Sequence, residues 1–278
     1  MPASPALPSG PIAFIGGGNM ARSLIGGLVA RGFDPAGIRV AEPVQALREA
    51  LQRDFGVACF EDATAAAQDA TIWLLAVKPQ VMREVCGQLA EQARAQRPLA
   101  ISIAAGITAG QLNRWLGGEA AVVRAMPNTP ALLGAGITGL YANAAAAPRF
   151  DQAADLLAAV GPTVRIDAEA QMDAVTAVSG SGPAYVFLLA EAMQQAGVAQ
   201  GLSADAARAL VQQTLFGAAT MLTRSEEPAD VLRARVTSPG GTTQAAIETF
   251  EAGGFRALVD RAIAAATERG RQLSAANE

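Results

Sequence analysis

Apolar residues follow two different rhythms along this chain. Up to about residue 167, short continuous apolar runs alternate with longer segments in which apolar residues recur every three or four positions. The runs 12–15, 38–41, 71–77, 99–103 and 121–125 are short and predominantly apolar, and they predict buried strands. Between them, residues 44–55 and 80–94 have the spacing of helices packed on a sheet. Such alternation predicts a mostly parallel, doubly wound sheet. Residues 136–141 and 163–166 extend it, with a helix over 151–160 between them.

After Asp167 the alternation stops. Helical stretches open at Gln171, Ser181, Ser203 and Phe255, punctuated by Gly197 and Gly201, with Ser203 placed as an N-cap. The expected organisation is an α/β Rossmann-type domain over residues 1–168 and an all-α domain over 169–278. Residues 203–222, SADAARALVQQTLFGAATML, are nearly apolar around the whole circumference of a helix, so they require enclosure on every side. A domain of this size offers little surface for that by itself. A partner subunit is the expected source.

Composition narrows the function. A hydrophobic content of 51% in 278 residues permits a large core, and a net charge of −4 without a basic run gives no electrostatic footprint for nucleic acid. Cys59 and Cys86, at unrelated spacing, fit reduced thiols in a cytoplasm. The N-terminal MPASPALPSG lacks the basic and apolar regions of a signal peptide and reads as a lead-in, and no stretch is suited to span a membrane. A soluble cytoplasmic protein is expected. Histidine is absent, which removes the commonest metal ligand and the commonest acid–base group, and no metal site is expected.

Gly16, Gly18 and Ala21 form G-x-G-x-x-A between a strand and a helix. The first glycine permits a tight turn, the second lets backbone approach a pyrophosphate, and the small third residue lets helix pack on strand. Glu42 ends the second strand, about 20 residues further on, where an acidic side chain accepts ribose hydroxyls. Arg39 and Arg48 stand close enough in sequence to leave the choice between NADH and NADPH open. Lys78, the chain's one lysine, follows the 71–77 run and is assigned to cofactor electrostatics, with Pro79 opening the next helix.

A second glycine turn lies in RVTSPGGTTQAAIETF, residues 235–250. Gly240 and Gly241 allow backbone N–H groups to converge before a helix, a nest that suits a carboxylate or a phosphate, and Ser238, Thr242 and Thr243 add hydroxyls. From these residues alone, a capped helix start without a ligand reads the same way.

Six stretches in order along nearly the whole chain resemble the pyrroline-5-carboxylate reductases of proline synthesis: FIGGGNMA, AVKPQ, SIAAGI, MPNTPALLGAG, DAVTAVSGSGPAY and VTSPGGTT. The resemblance implies a Rossmann domain, a helical dimerisation domain and an active site completed across a homodimer. It implies that Ile15, Gly16, Gly18, Asn19 and Met20 hold the pyrophosphate of NADPH or NADH, and that Ala76, Val77, Lys78, Pro79, Ile103, Ala104 and Ala105 line the cofactor. It places 1-pyrroline-5-carboxylate at Ser238, Gly240, Gly241, Thr242 and Thr243, with Glu169 nearby. This chain departs from the family pattern at Ala63, where many relatives have asparagine, and at Glu42, where they have a small hydroxyl or basic residue. Both departures count against a tight NADP phosphate site.

The absent residues agree with imine chemistry. Reducing a ketone leaves an alkoxide that needs a positioned acid, whereas hydride addition to a protonated cyclic imine gives a neutral amine. Thr243 then suffices as hydrogen-bond partner of the ring nitrogen and is the expected catalytic side chain, with Tyr185 assigned to packing and Glu226 to the first turn of a helix. A hydroxyacid dehydrogenase of similar build is disfavoured, because it needs a lysine in its helical domain. A nucleotide sensor without turnover is disfavoured by the second glycine turn.

Overall fold

The computed structural model describes residues 10–277; residues 1–9 of the expected lead-in lie outside them. Strands are β1 (Ile12–Ile15), β2 (Ile38–Ala41), β3 (Ala58–Phe60), β4 (Ile72–Leu75), β5 (Leu99–Ser102), β6 (Ala121–Met126), β7 (Thr138–Ala142) and β8 (Thr163–Arg165). Helices up to the end of the sheet are α1 (Asn19–Ala30), α2 (Gln45–Phe55), α3 (Ala63–Ala67), α4 (Pro79–Gln96), α5 (Ala109–Trp115) and α6 (Phe150–Leu157). Helices α7 (Met172–Val175), α8 (Gly182–Ala199), α9 (Ala204–Arg224), α10 (Ala229–Arg235), α11 (Thr242–Ala252) and α12 (Phe255–Ala276) follow.

The eight strands form one sheet in the order β3-β2-β1-β4-β5-β6-β7-β8. All neighbours are parallel except β6 and β7. Strand geometry sends alternate side chains to opposite faces. Ile12 and Phe14 therefore join Leu24, Ile25 and Leu28 of α1 and Leu156 of α6 in one core, while Ala13 and Ile15 join Met82, Cys86 and Leu89 of α4 in the other. That double burial is why β1, β4 and β5 are apolar at every position but Ser102. The order reverses direction at β1 and β4, which opens the crevice where doubly wound sheets bind ligands.

The chain divides into two compact units: one runs up to Ser181 and takes back residues from Ala266 onward, and the other is Gly182–Ala265. The expected boundary at 168 therefore falls inside the first unit, because α7 and the π-helical turn Thr176–Gly180 precede the division. The helix expected over 151–160 is α6 followed by a 3-10 turn, Ala158–Val160. The strand expected over 71–77 ends at Leu75, since Ala76 to Lys78 leave the sheet to start α4.

In the second unit α8 packs on α9, whose N-cap is Ser203 as expected: its hydroxyl accepts from Ala206 N–H at 3.2 Å. Among its described residues, the buried apolar ones are Ala207 and Val211. Phe187, Leu188 and Phe216 are 68%, 66% and 67% exposed. Tyr185 is likewise exposed on α8, so the packing role expected for it finds no core among the described residues. Glu226 sits in the turn between α9 and α10 rather than in a helical first turn.

Candidate functional site

The G-x-G-x-x-A loop is anchored from both sides of β1. Gly16 N–H donates to Ala41 O at 2.9 Å, and Ile15 O accepts from Ala76 N–H at 2.8 Å. Gly16 has φ +107°, and a Cβ there would stand 2.7 Å from Ala76 O, so only glycine fits. Gly18 differs: its φ is −67°, and a Cβ would meet no protein atom within 4 Å. The protein's own packing therefore does not require glycine at 18, which fits close approach by a ligand. Ala21 is buried against the sheet. Helix α1 begins at Gly18 with no side-chain cap and no acidic residue in its first turn, leaving N–H groups and the positive dipole end available to a pyrophosphate.

Glu42 reaches this loop. Its Oε2 accepts from Gly17 N–H and its Oε1 from Val44 N–H, each at 3.0 Å, and the residue is 7% exposed. The carboxylate thus ties the glycine loop to the turn that follows β2. Arg48 Nη1 donates to Glu42 O at 2.7 Å and Pro43 O at 2.8 Å, while Arg48 Nη2 lies 3.5 Å from Glu61. Arg48 is therefore occupied by this turn.

Across the crevice Lys78 is the exposed N-cap residue of α4, and Pro79 is its first residue. Pro lacks the N–H that a first helical position leaves unpaired, so it suits that place. Ala104 and Ala105 are half-buried in the loop between β5 and α5. Glu169 does not stand free: its Oε1 accepts from Ala109 N–H at 2.6 Å and pairs with Arg124 Nη1 at 2.9 Å. The sequence reading missed Arg124, although an arginine inside the apolar run AVVRAM demands a buried partner.

In the helical unit, α11 begins at Gly241, again without a side-chain cap and without an acidic residue in its first turn. Gly240 has φ +70°, Gly241 N–H donates to Ser238 O at 3.0 Å, and Gly240 N–H donates to Gln244 Oε1 at 2.6 Å. The turn therefore folds on itself and presents Thr242 and Thr243 as the first residues of the helix. Thr242 is exposed and Thr243 half-buried.

A doubly wound domain with an uncapped glycine-rich helix start, followed by an all-helical unit, makes this chain an NAD(P)H-dependent oxidoreductase of two-part build. Residues 169–273 match the family described as pyrroline-5-carboxylate reductase dimerisation, and residues 11–106 match NADP oxidoreductase coenzyme F420-dependent. The chain belongs to the pyrroline-5-carboxylate reductase family. It is 52% identical to the Pseudomonas aeruginosa pyrroline-5-carboxylate reductase, with 95% of this chain and 96% of that protein covered. A pyrroline-5-carboxylate reductase structure from Coxiella burnetii superposes with TM-score 0.93 at 40% identity, covering 96% of this chain and 99% of the other. The Plasmodium falciparum pyrroline carboxylate reductase with NADP bound does so with TM-score 0.83 at 28% identity, covering 97% and 100%. Among the described residues no helix is long and apolar enough to cross a membrane.

Proposed function

We propose that the protein reduces 1-pyrroline-5-carboxylate to L-proline, the last step of proline biosynthesis, with NADPH or NADH as reductant. The observation that carries this reading is the helix start at Gly241, which the protein's own side chains leave uncapped and which stands in a family motif. There the N–H groups of Thr242 and Thr243 and the helix dipole bind the substrate carboxylate, with Ser238 and Thr242 hydroxyls beside them. Thr243 Oγ takes the ring nitrogen and orients the imine.

Residues 15–20 hold the pyrophosphate, Glu42 borders the ribose, and residues 76–79 with Ala104 and Ala105 line the nicotinamide. Bound NAD(P)H supplies the hydride to the imine carbon. The protein's contribution is chiefly positioning, because an iminium becomes a neutral amine without an enzyme acid. This agrees with a chain that has no histidine and no lysine beyond Lys78.

The active form is a homodimer through the helical unit, a reading supported by the exposed apolar residues of α8 and α9 and by the dimerisation match. Two free cysteines fit a cytoplasmic setting. Initial rates of cofactor oxidation test the reaction, with the pyrroline carboxylate or an open-chain ketoacid and with each cofactor in turn. Turnover of the imine alone is the expected result; turnover of the ketoacid alone would overturn the assignment.

A further inference from the structure

The loop at residues 103–108 carries Ala104 and Ala105, which offer a cofactor nothing beyond methyl groups and backbone. Such a loop contributes only through where its backbone lies, so whatever fixes it acts on cofactor binding. Its fixings come from remote parts of the chain.

At its far end, α5 begins very differently from α1 and α11. Thr108 Oγ1 accepts from Gln111 N–H at 3.1 Å, and Gln111 Oε1 accepts from Thr108 N–H at 2.7 Å. Glu169 Oε1 takes the Ala109 N–H at 2.6 Å. This helix start is therefore closed by the protein's own groups and serves as a fixed post rather than an anion site. Glu169 is itself held by Arg124, whose guanidinium stands on β6 with only 7% of its side chain exposed. A guanidinium so buried needs its counter-charge, and β6 is paired on both sides within the sheet. The rigidity of the sheet thus passes through Arg124 and Glu169 to the end of the loop.

The C-terminal end of α12 holds the same loop from another side. Asn277 Nδ2 donates to Gly106 O at 3.1 Å and to Leu273 O at 2.8 Å, and Gln111 Nε2 donates to Ser274 O at 3.1 Å. Gly106 has φ +70°, and a Cβ there would stand 3.2 Å from Leu273 Cβ. Backbone conformation and close approach by α12 both select glycine at this position.

We propose that Glu169 is a positioning residue for the cofactor rather than a substrate ligand, and that it acts with Asn277 by fixing the 103–108 loop. The proposal rests on the reading of Ala104 and Ala105 as cofactor-lining. It is tested on the full-length protein by steady-state kinetics with both substrates varied, and by NADPH fluorescence titration without the imine. In Glu169→Ala and Asn277→Ala, the cofactor KM and Kd should rise about two- to tenfold, the worth of a lost positioned hydrogen bond, while the imine KM stays near its original value. Glu169→Gln keeps an acceptor for Ala109 and should lose less than Glu169→Ala. A raised imine KM with unaltered cofactor Kd would return Glu169 to the substrate and overturn the proposal. If the Glu169 variants do not fold, Asn277→Ala decides, and an unaltered NADPH Kd there overturns it equally. The titration needs no turnover, so a failure of the imine assignment would leave the Kd shift intact and remain distinguishable from a failure of the positioning role.

Discussion

Substituting alanine separately for Gly16 and Gly18 should give opposite phenotypes, although both glycines belong to one motif. At Gly16 the backbone has φ +107°, and the new Cβ would stand 2.7 Å from Ala76 O. Ala76 cannot retreat freely, because its N–H is bonded to Ile15 O. A non-glycine residue in the left-handed region costs about 1–2 kcal/mol, and forced overlap in a packed site costs about 1–3 kcal/mol more. A total of about 3 kcal/mol is a large part of ordinary stability and corresponds to a fall of roughly 10 °C in thermal midpoint. At Gly18 the φ of −67° suits alanine, and no protein atom lies within 4 Å of the added carbon. There the gain from a less flexible unfolded chain and the loss of a good N-cap residue each amount to about 0.5–1 kcal/mol and nearly cancel. Stability should hold, yet NADPH affinity should fall at least about tenfold, because a methyl group enters the position of close pyrophosphate approach. Thermal unfolding at one fixed protein concentration measures the first quantity, and fluorescence titration with NADPH the second. A Gly16→Ala protein as stable as the original would refute the steric reasoning. Undiminished NADPH affinity in Gly18→Ala would show that the pyrophosphate does not pass over Gly18.

Three further outcomes are expected. Glu42→Ser should raise the NADPH to NADH ratio of kcat/KM by about tenfold, the effect of one charge on order 6 Å from the extra phosphate at an effective dielectric near 40; an unchanged ratio would place the phosphate elsewhere. Thr243→Val keeps the branched shape and removes the hydroxyl, so kcat should fall about tenfold or more in a protein of normal thermal midpoint, and unaltered kcat and KM would remove Thr243 from the mechanism. Burial pushes the Cys86 thiol up to about 12, so it should resist a thiol reagent at pH 8 until the protein is unfolded in denaturant; rapid labelling of the native protein at Cys86, read by peptide mapping, would contradict its burial.

Much of the first unit was legible because its demands are local. Short, predominantly apolar runs mark the strands of a covered sheet, and 12–15 and 38–41 coincide with β1 and β2. Strand β3 escaped notice because it is short: it has three residues at the sheet edge, and its apolar run, Val57 to Phe60, is no longer than many stretches outside strands. The two glycine turns could be read because positive φ and uncapped helix starts belong to a few consecutive residues. Apolar excess on α9 was equally visible, since the demand for enclosure is set by composition around one helix.

Side-chain partnerships are what sequence left undetermined. Glu169 looked available to a substrate, but the fold carries it to Arg124 and Ala109, 45 and 60 positions away. Neither Asn277 nor the Gln111 amide gave any sign of its remote partner, because Gly106 and Ser274 stand 171 and 163 positions from them. Periodicity and turn chemistry act over a few residues and fix the kind of element and the backbone it offers. Which charged group meets which backbone amide depends on the order of strands in the sheet and on the path by which α12 returns to it, and only the tertiary structure decides that.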